Sequence, residues 1–216
     1  PRANLRFNPT QNINLRLSYS SGFRAPQAFD EDMHIENVGG TVAMIERAKD
    51  LKEEKSQSFS VSADMYHRFG AFQTNLLIEG FYTRLTDVFV LGKPYDRGDG
   101  ILVKTRSNGP GAKVMGLTLE GKVAYLSILQ IQAGLTLQRS RYDEPHKWHD
   151  DAPAEKKIFR TPDTYGYFTA TCTPIKPLSI ALSGTYTGRM LVQRMDITAE
   201  NAELGKMPER KAEAIR

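Results

Sequence analysis

The 216 residues carry 40% hydrophobic and 25% charged side chains, which excludes wholesale disorder. The mean hydropathy of −0.45, with no apolar run near the ~20 residues of a spanning helix, excludes a bundle of membrane helices but not a membrane β-barrel. A net charge of +4 from scattered Lys and Arg argues against nucleic acid as a partner, and Cys172, the only cysteine, excludes an intrachain disulfide and a thiolate metal cluster.

Alternating apolar and polar residues, the mark of half-buried strands, recur along the whole chain. A short run from Ala3 to Phe7 leads into Asn8-Pro9-Thr10-Gln11. Next, Ile13, Leu15, Leu17 and Tyr19 oppose Asn12, Asn14, Arg16, Ser18 and Ser20, and the pattern breaks at Ser21-Gly22. Phe59 to Met65 and Phe72 to Thr83 form the following pair, the second spoiled by Leu77 and Phe81. Met115 to Tyr125 and Leu129 to Gln138 alternate cleanly. A weaker run spans Tyr165 to Thr173, and Leu178 to Thr187 closes the series at about eight strands.

The connections alternate strictly between short and long. Tight turns are expected at residues 8–11, 68–71, around 127–128 and at 173–177, whereas long polar loops are expected at about 21–55, 91–112, 141–163 and 189–216. In an antiparallel meander every second connection lies at the same end, so all the short turns fall at one end and all the long loops at the other. Outer-membrane barrels have this asymmetry, with short periplasmic turns and longer extracellular loops. Runs of about 9–11 residues suit a tilted spanning strand better than the ~5–6 of soluble sheets. Gln130, Gln132, Thr136, Gln138, Ser179, Ser183, Thr185 and Thr187 would then face a wet lumen or an internal plug. Most tyrosines fall near strand ends, as interfacial girdles require.

Three segments resemble the TonB-dependent outer-membrane receptors. "LRLSYSSGFRAPQAFDE" (15–31) is similar to the family's strand end running into Gly-Phe-Arg-Ala-Pro, through Tyr19, Gly22, Phe23, Arg24, Ala25 and Pro26. "DLKEEKSQSFSVSAD" (50–64) resembles the Leu-Lys-Pro-Glu-x-Ser element, with Glu53 where Pro is usual. "NGPGAKVMGLTLEGK" (108–122) is similar to Asn-x-Gly-x-Ala-x-x-x-Gly-x-Glu, through Asn108, Gly111, Ala112, Gly116 and Glu120. The resemblance implies a plugged barrel of about 22 strands. All of residues 1–216 would belong to that one barrel domain, as about eight of its strands, with the N-terminal plug and the final strands outside the chain. Both ends lack terminal signals, so a fragment is expected. The implied partners are outer-membrane lipid, a TonB-type energy-coupling protein acting through the plug, and a small-molecule chelate (ferric siderophore, haem or cobalamin) or an oligosaccharide. The implied location is the bacterial outer membrane.

Within that frame Tyr19, Gly22, Phe23, Arg24 and Pro26 are expected to form the fixed base of a recognition loop. Arg24 has two readings, contact with an anionic ligand or plug carboxylate and a structural anchor through its fork of donors; the anchor is favoured. In "HKWHDD" (146–151), Trp148 could stack on a flat ligand and His149 contact it, or the segment is a plain solvated loop. Metal ligation is not expected, because His-x-x-His pairs both rings well only on a helix. The acidic patch around His34 and Glu36 reads as solvated loop, and Asp64, Glu79 and Glu120 as lumen lining. Gly109-Pro110-Gly111 lacks the Lys-Ser/Thr of a phosphate loop, and no Gly-x-Ser-x-Gly elbow exists, so neither an enzyme nor a cofactor is expected. The rival reading is a non-transporting adhesin barrel or a soluble β-rich binding domain.

Overall fold

The computed structural model describes residues 1–26, 43–92, 95–98, 102–147, 153–197 and 210–215. The described residues contain strands, turns and bends and no helix. Strands β1 (Arg2–Thr10) and β2 (Ile13–Arg24) form the first hairpin, and β3 (Ala43–Arg47) follows. A second hairpin joins β4 (Glu54–Phe69) to β5 (Phe72–Thr86). Then come β6 (Phe89–Leu91), β7 (Tyr95–Asp96) and β8 (Leu102–Asn108). A third hairpin joins β9 (Ala112–Tyr125) to β10 (Leu129–His146), with β11 (Glu155–Lys157) after it. The fourth joins β12 (Thr164–Ile175) to β13 (Leu178–Thr187), and β14 (Val192–Ile197) and β15 (Arg210–Ile215) complete the chain.

The eight long strands lie side by side in the order β1-β2-β4-β5-β9-β10-β12-β13, each antiparallel to the next, with β11 added beside β10. This is an up-and-down meander. Among the described residues β1 and β13 are its two edges. The turns of the four hairpins, at Gln11-Asn12, Gly70-Ala71, Leu126–Ile128 and Lys176-Pro177, all fall at one end. At two of them a residue takes the left-handed conformation that closes a tight turn, Gly70 (φ 59°) and Leu126 (φ 49°).

Register carries the pattern of each strand across the whole sheet. One row runs Leu5, Leu17, Val61, Gly80, Leu117, Leu137; the next residue along each strand gives Arg16, Ser62, Glu79, Thr118, Thr136. Apolar side chains therefore collect on one face and polar ones on the other, because side-chain direction alternates with period two. The apolar face is bare of protein: Leu17, Val61 and Leu182 are 52%, 59% and 62% exposed. A face of this extent in water would drive association, whereas hydrocarbon covers it at no cost.

Aromatic rings mark both margins of the apolar face. Tyr19 and Phe59 sit 4.8 Å apart near the loop end, with Tyr82 beside Phe59 in register. Phe69 and Phe72 stack at 5.6 Å at the turn end, and Tyr125 lies 4.8 Å from Phe72. Phe59 and Phe69 are ten positions apart on β4. At about 3.3 Å per residue and a tilt of about 40°, that separation spans roughly 25 Å of height, the thickness of an outer-membrane apolar band.

Leu77 and Phe81 face the polar side, and the sheet accommodates the Phe81 ring by omitting a side chain opposite. A Cβ on Gly116 would lie 2.6 Å from Phe81 Cζ and 2.6 Å from the Leu137 carbonyl oxygen. Most of the rest of that face is hydroxyl, amide and carboxylate, with Arg16 and Lys122 among them. Ser58 and Thr83 pair at 2.9 Å, Thr118 and Thr136 at 3.0 Å, and Gln132 Nε2 donates to Glu120 at 2.7 Å and to the Tyr167 hydroxyl at 2.8 Å.

Two expectations are corrected. The alternation breaks at Ser21-Gly22, yet β2 continues two residues further, pairing Phe23 with Lys55 and Arg24 with Glu54. The segments expected as loops hold much of the remaining secondary structure. β3 lies in 21–55, β7 and β8 in 91–112, β11 in 141–163, and the β14–β15 hairpin in 189–216. Above the apolar band both faces of a strand meet water, so the two-residue rhythm of hydrophobicity disappears while the backbone ladder continues.

Candidate functional site

At the loop end the long strands run beyond the aromatic margin into a collar. Its second sheet has β3 parallel to β8, with β6 and β7 antiparallel to β8. The few fully buried apolar groups among the described residues, Val103, Ala112 and Leu191, lie in this collar region.

Asn108, the last residue of β8, joins three pieces of chain. Its Oδ1 accepts from Lys52 N–H at 2.8 Å, and its Nδ2 donates to the carbonyls of Lys52 at 3.0 Å and Asp87 at 2.8 Å. Asp87 is in the left-handed conformation (φ 54°), turning the chain from β5 into β6. Two residues further on, Phe89 N–H donates to Glu54 Oε2 at 3.0 Å. Gly109 and Gly111 fill the junction where no side chain fits. A Cβ on Gly109 would meet Val90 Cγ1 at 2.5 Å, and one on Gly111 would meet Asp143 Oδ2 at 2.6 Å and the Leu85 carbonyl at 2.8 Å. The Leu51-Lys52-Glu53-Glu54 and Asn108-Gly109-Pro110-Gly111-Ala112 segments are thus two halves of one clamp, closed across 56 positions of sequence.

The first motif meets the same clamp. The Arg24 guanidinium lies 5.5 Å from the centroid of the Phe89 ring, and Arg106 approaches that ring at 5.9 Å. Tyr19 belongs to the upper aromatic margin. Gly22 leaves the space that the Ser56 hydroxyl uses, 3.0 Å from where a Cβ would sit. Phe23 points outward and is 76% exposed. Pro26 lines an open cleft of about 780 Å³ with Ile45, Glu46, Arg47 and Lys49. Trp148 and His149 lie outside the described residues, as do His34 and Glu36. His146, at the top of β10, packs against Tyr142 with ring centroids 5.4 Å apart. Burial pushes the Tyr142 hydroxyl above its usual range. Among the described residues no cluster of His, Cys, Asp and Glu is placed to hold a metal ion.

Sequence reasoning picks out Asn108, Gly111 and Glu54 as motif positions without saying what they hold. It gives no role to Phe89, Asp87 or Asp143. A hydrophobic ring followed by a short apolar run reads as strand, and only the folded register reveals a shared hub.

An antiparallel wall with a lipid-facing apolar belt, a polar inner face and a collar of extra strands defines a segment of an outer-membrane β-barrel. The family model described as TonB dependent receptor-like, beta-barrel matches residues 1–197. The chain belongs to that family, whose home is the bacterial outer membrane. Solved structures agree on the fold. The siderophore receptor PirA from Acinetobacter baumannii superposes with a TM-score of 0.62 at 12% identity, over 100% of this chain and 32% of its own. PirA from Pseudomonas aeruginosa gives 0.59 at 17%, over 86% and 34%. The FrpB iron transporter from Neisseria meningitidis gives 0.58 at 16%, over 88% and 27%. This chain therefore spans about a quarter to a third of the length of these relatives. A search of curated proteins returns no match.

Proposed function

We propose that this chain is part of the wall of a receptor that imports a scarce metal chelate of the ferric-siderophore class. A TonB-type protein would deliver the energy through a plug domain. The observation that carries the reading is the family match along residues 1–197, on a sheet whose inner face is mostly polar, with Leu77 and Phe81 as exceptions. The names of similar structures point to the substrate class: two PirA siderophore receptors, the Fiu ferric-catecholate import receptor and the FrpB iron transporter. Haem, cobalamin and oligosaccharide are the other solutes in view.

In this reading the barrel supplies the wall and the collar holds the recognition loops in place. Arg24 acts as an anchor on Phe89 and leaves ligand contact to residues further out, with Trp148 and His149 as candidates. The test is growth of a strain lacking the gene, complemented with the full-length receptor, on single iron, haem or cobalamin sources. Loss of growth on one ferric chelate, restored by complementation, is expected. Unchanged growth and unchanged uptake of every labelled solute would overturn the transporter in favour of an adhesin barrel.

A further inference from the structure

The outer face changes character abruptly at the upper aromatic row. Below it β5, β9 and β10 present Phe72 to Tyr82, Met115 to Tyr125 and Leu129 to Leu137 outward, and no outward residue in these stretches is charged. On the aromatic row itself, Arg139 stands opposite Met115. One row higher, Arg84, Lys113 and Arg141 are direct register partners on three adjacent strands, and Lys157 continues the row on β11. The same level on β2 and β4 holds the neutral Ser21 and Gln57. At the turn end the outermost positions of the β9–β10 hairpin, Leu126 and Ile128, are uncharged. On β5, β9 and β10 the cations thus form a patch about 10 Å wide at ~4.8 Å per strand, at the loop end of these strands.

Like charges directly opposite on neighbouring strands repel unless an anion lies among them. Asp143 meets part of that need, at 2.9 Å from Arg84 Nη2 and 3.9 Å from Lys113 Nζ. Lys157 is paired with Asp163. Arg139 and Arg141 are exposed, and among the described residues neither has a carboxylate within 4.0 Å. On the aromatic row and one row above it, such long side chains reach the depth of lipid phosphates, where guanidinium groups can take two oxygens at once.

We propose that Arg139, Arg141, Lys113 and Arg84, clustered on the outer face at the aromatic row and one row above it, bind the phosphate-bearing headgroup of an anionic outer-leaflet lipid. The site is independent of the solute imported. Its position favours a headgroup with more than one phosphate, because the cations spread across three strands and two rows. Bound there, the lipid would brace the base of the collar through Asp143, whose own N–H donates to the Gly111 carbonyl at 2.8 Å.

The test uses the full-length receptor, extracted in detergent and delipidated, with cardiolipin as the bis-phosphate probe and phosphatidylcholine as the neutral one. Native mass spectrometry across a titration reads the affinity. The wild type should prefer cardiolipin, with a preference that falls as salt rises. Arg139→Gln with Arg141→Gln should weaken cardiolipin about 25-fold, taking ~5-fold per surface cation. Arg139→Lys with Arg141→Lys should stay within a few-fold of the wild type, and Lys122→Gln on the inner face should change nothing. Gel mobility before and after heating reports folding, and Arg141→Gln alone serves if the double variant fails to fold. Equal affinity for the two lipids, no loss in the Gln variants, or an equal loss in Lys122→Gln would overturn the proposal.

Discussion

Replacing Asn108 with Ala removes three hydrogen bonds at once, those to Lys52 N–H, the Lys52 carbonyl and the Asp87 carbonyl. Each contributes about 1 kcal/mol net, and the two to Lys52 are exposed enough for water to substitute in part. The clamp should therefore lose about 2–3 kcal/mol, or about thirtyfold or more in its local opening equilibrium. The loss should stay local, because the long strands are held by their own ladders. Hydrogen–deuterium exchange on the full-length receptor in detergent reads it directly. Amides around Lys52 and Phe89 should exchange about thirtyfold faster, while those in the centres of β9 and β10 keep their rates. Asn108→Asp sharpens the test, since it keeps the shape and the acceptor for Lys52 N–H. It also sets a carboxylate against two carbonyls that need a donor, so it should open the collar about as much as Ala. Wild-type exchange in either variant would refute the clamp.

Gly116→Ala puts a methyl group 2.6 Å from the Leu137 carbonyl, which the ladder holds, as well as against the Phe81 ring. It should destabilise the receptor by about 1–3 kcal/mol, seen as a lower midpoint for the heat-induced gel shift. Gly134→Ala meets its shortest contact at 2.6 Å in the Tyr167 ring, a side chain that can swing. A larger loss there than at Gly116 would contradict this packing. Tyr142 stands above the aromatic row with its hydroxyl pushed upward by burial, so the folded state holds its proton longer than the unfolded chain. Its contribution is complete below the unfolded value of about 10 and is lost as pH rises through the folded value. Urea unfolding should separate wild type from Tyr142→Phe by an amount that changes only above about pH 10. A difference that stays constant through that window would exclude a buried hydroxyl.

The spanning part of the fold is legible in the sequence because lipid on one side and a polar lumen on the other impose a strict two-residue rhythm. Ile13 to Tyr19 and Met115 to Tyr125 show that rhythm, and the register follows from it. The collar is not legible in the same way. β3, β8 and β11 lie above the membrane, where both faces are wet and the pattern that would reveal a strand is absent. Phe81 looks like an error in the alternation until Gly116 is placed opposite it. The motifs sit in between. Arg24, Glu54 and Asn108 stand out as motif positions, but their meeting at Phe89, Asp87 and Lys52 depends on contacts such as those 35 and 56 positions apart. Gly-Phe-Arg-Ala-Pro invites a ligand reading for the same reason: a cation at a strand end looks free until the ring that it covers is known.

If the sheet is a membrane wall, neighbouring residues on one strand meet lipid and lumen in turn, and Leu117 and Thr118 on β9 offer the sharpest comparison. In a full-length receptor with Trp148 replaced by Phe and its other tryptophans removed, a single Trp is placed at 117 or at 118. The protein is then reconstituted with lipids brominated along the acyl chain. Strong quenching is expected for Leu117→Trp and little for Thr118→Trp, which aqueous iodide should quench instead. Equal quenching of the two by bromolipid, or the reverse order, would contradict a wall with one face in lipid and the other in the lumen.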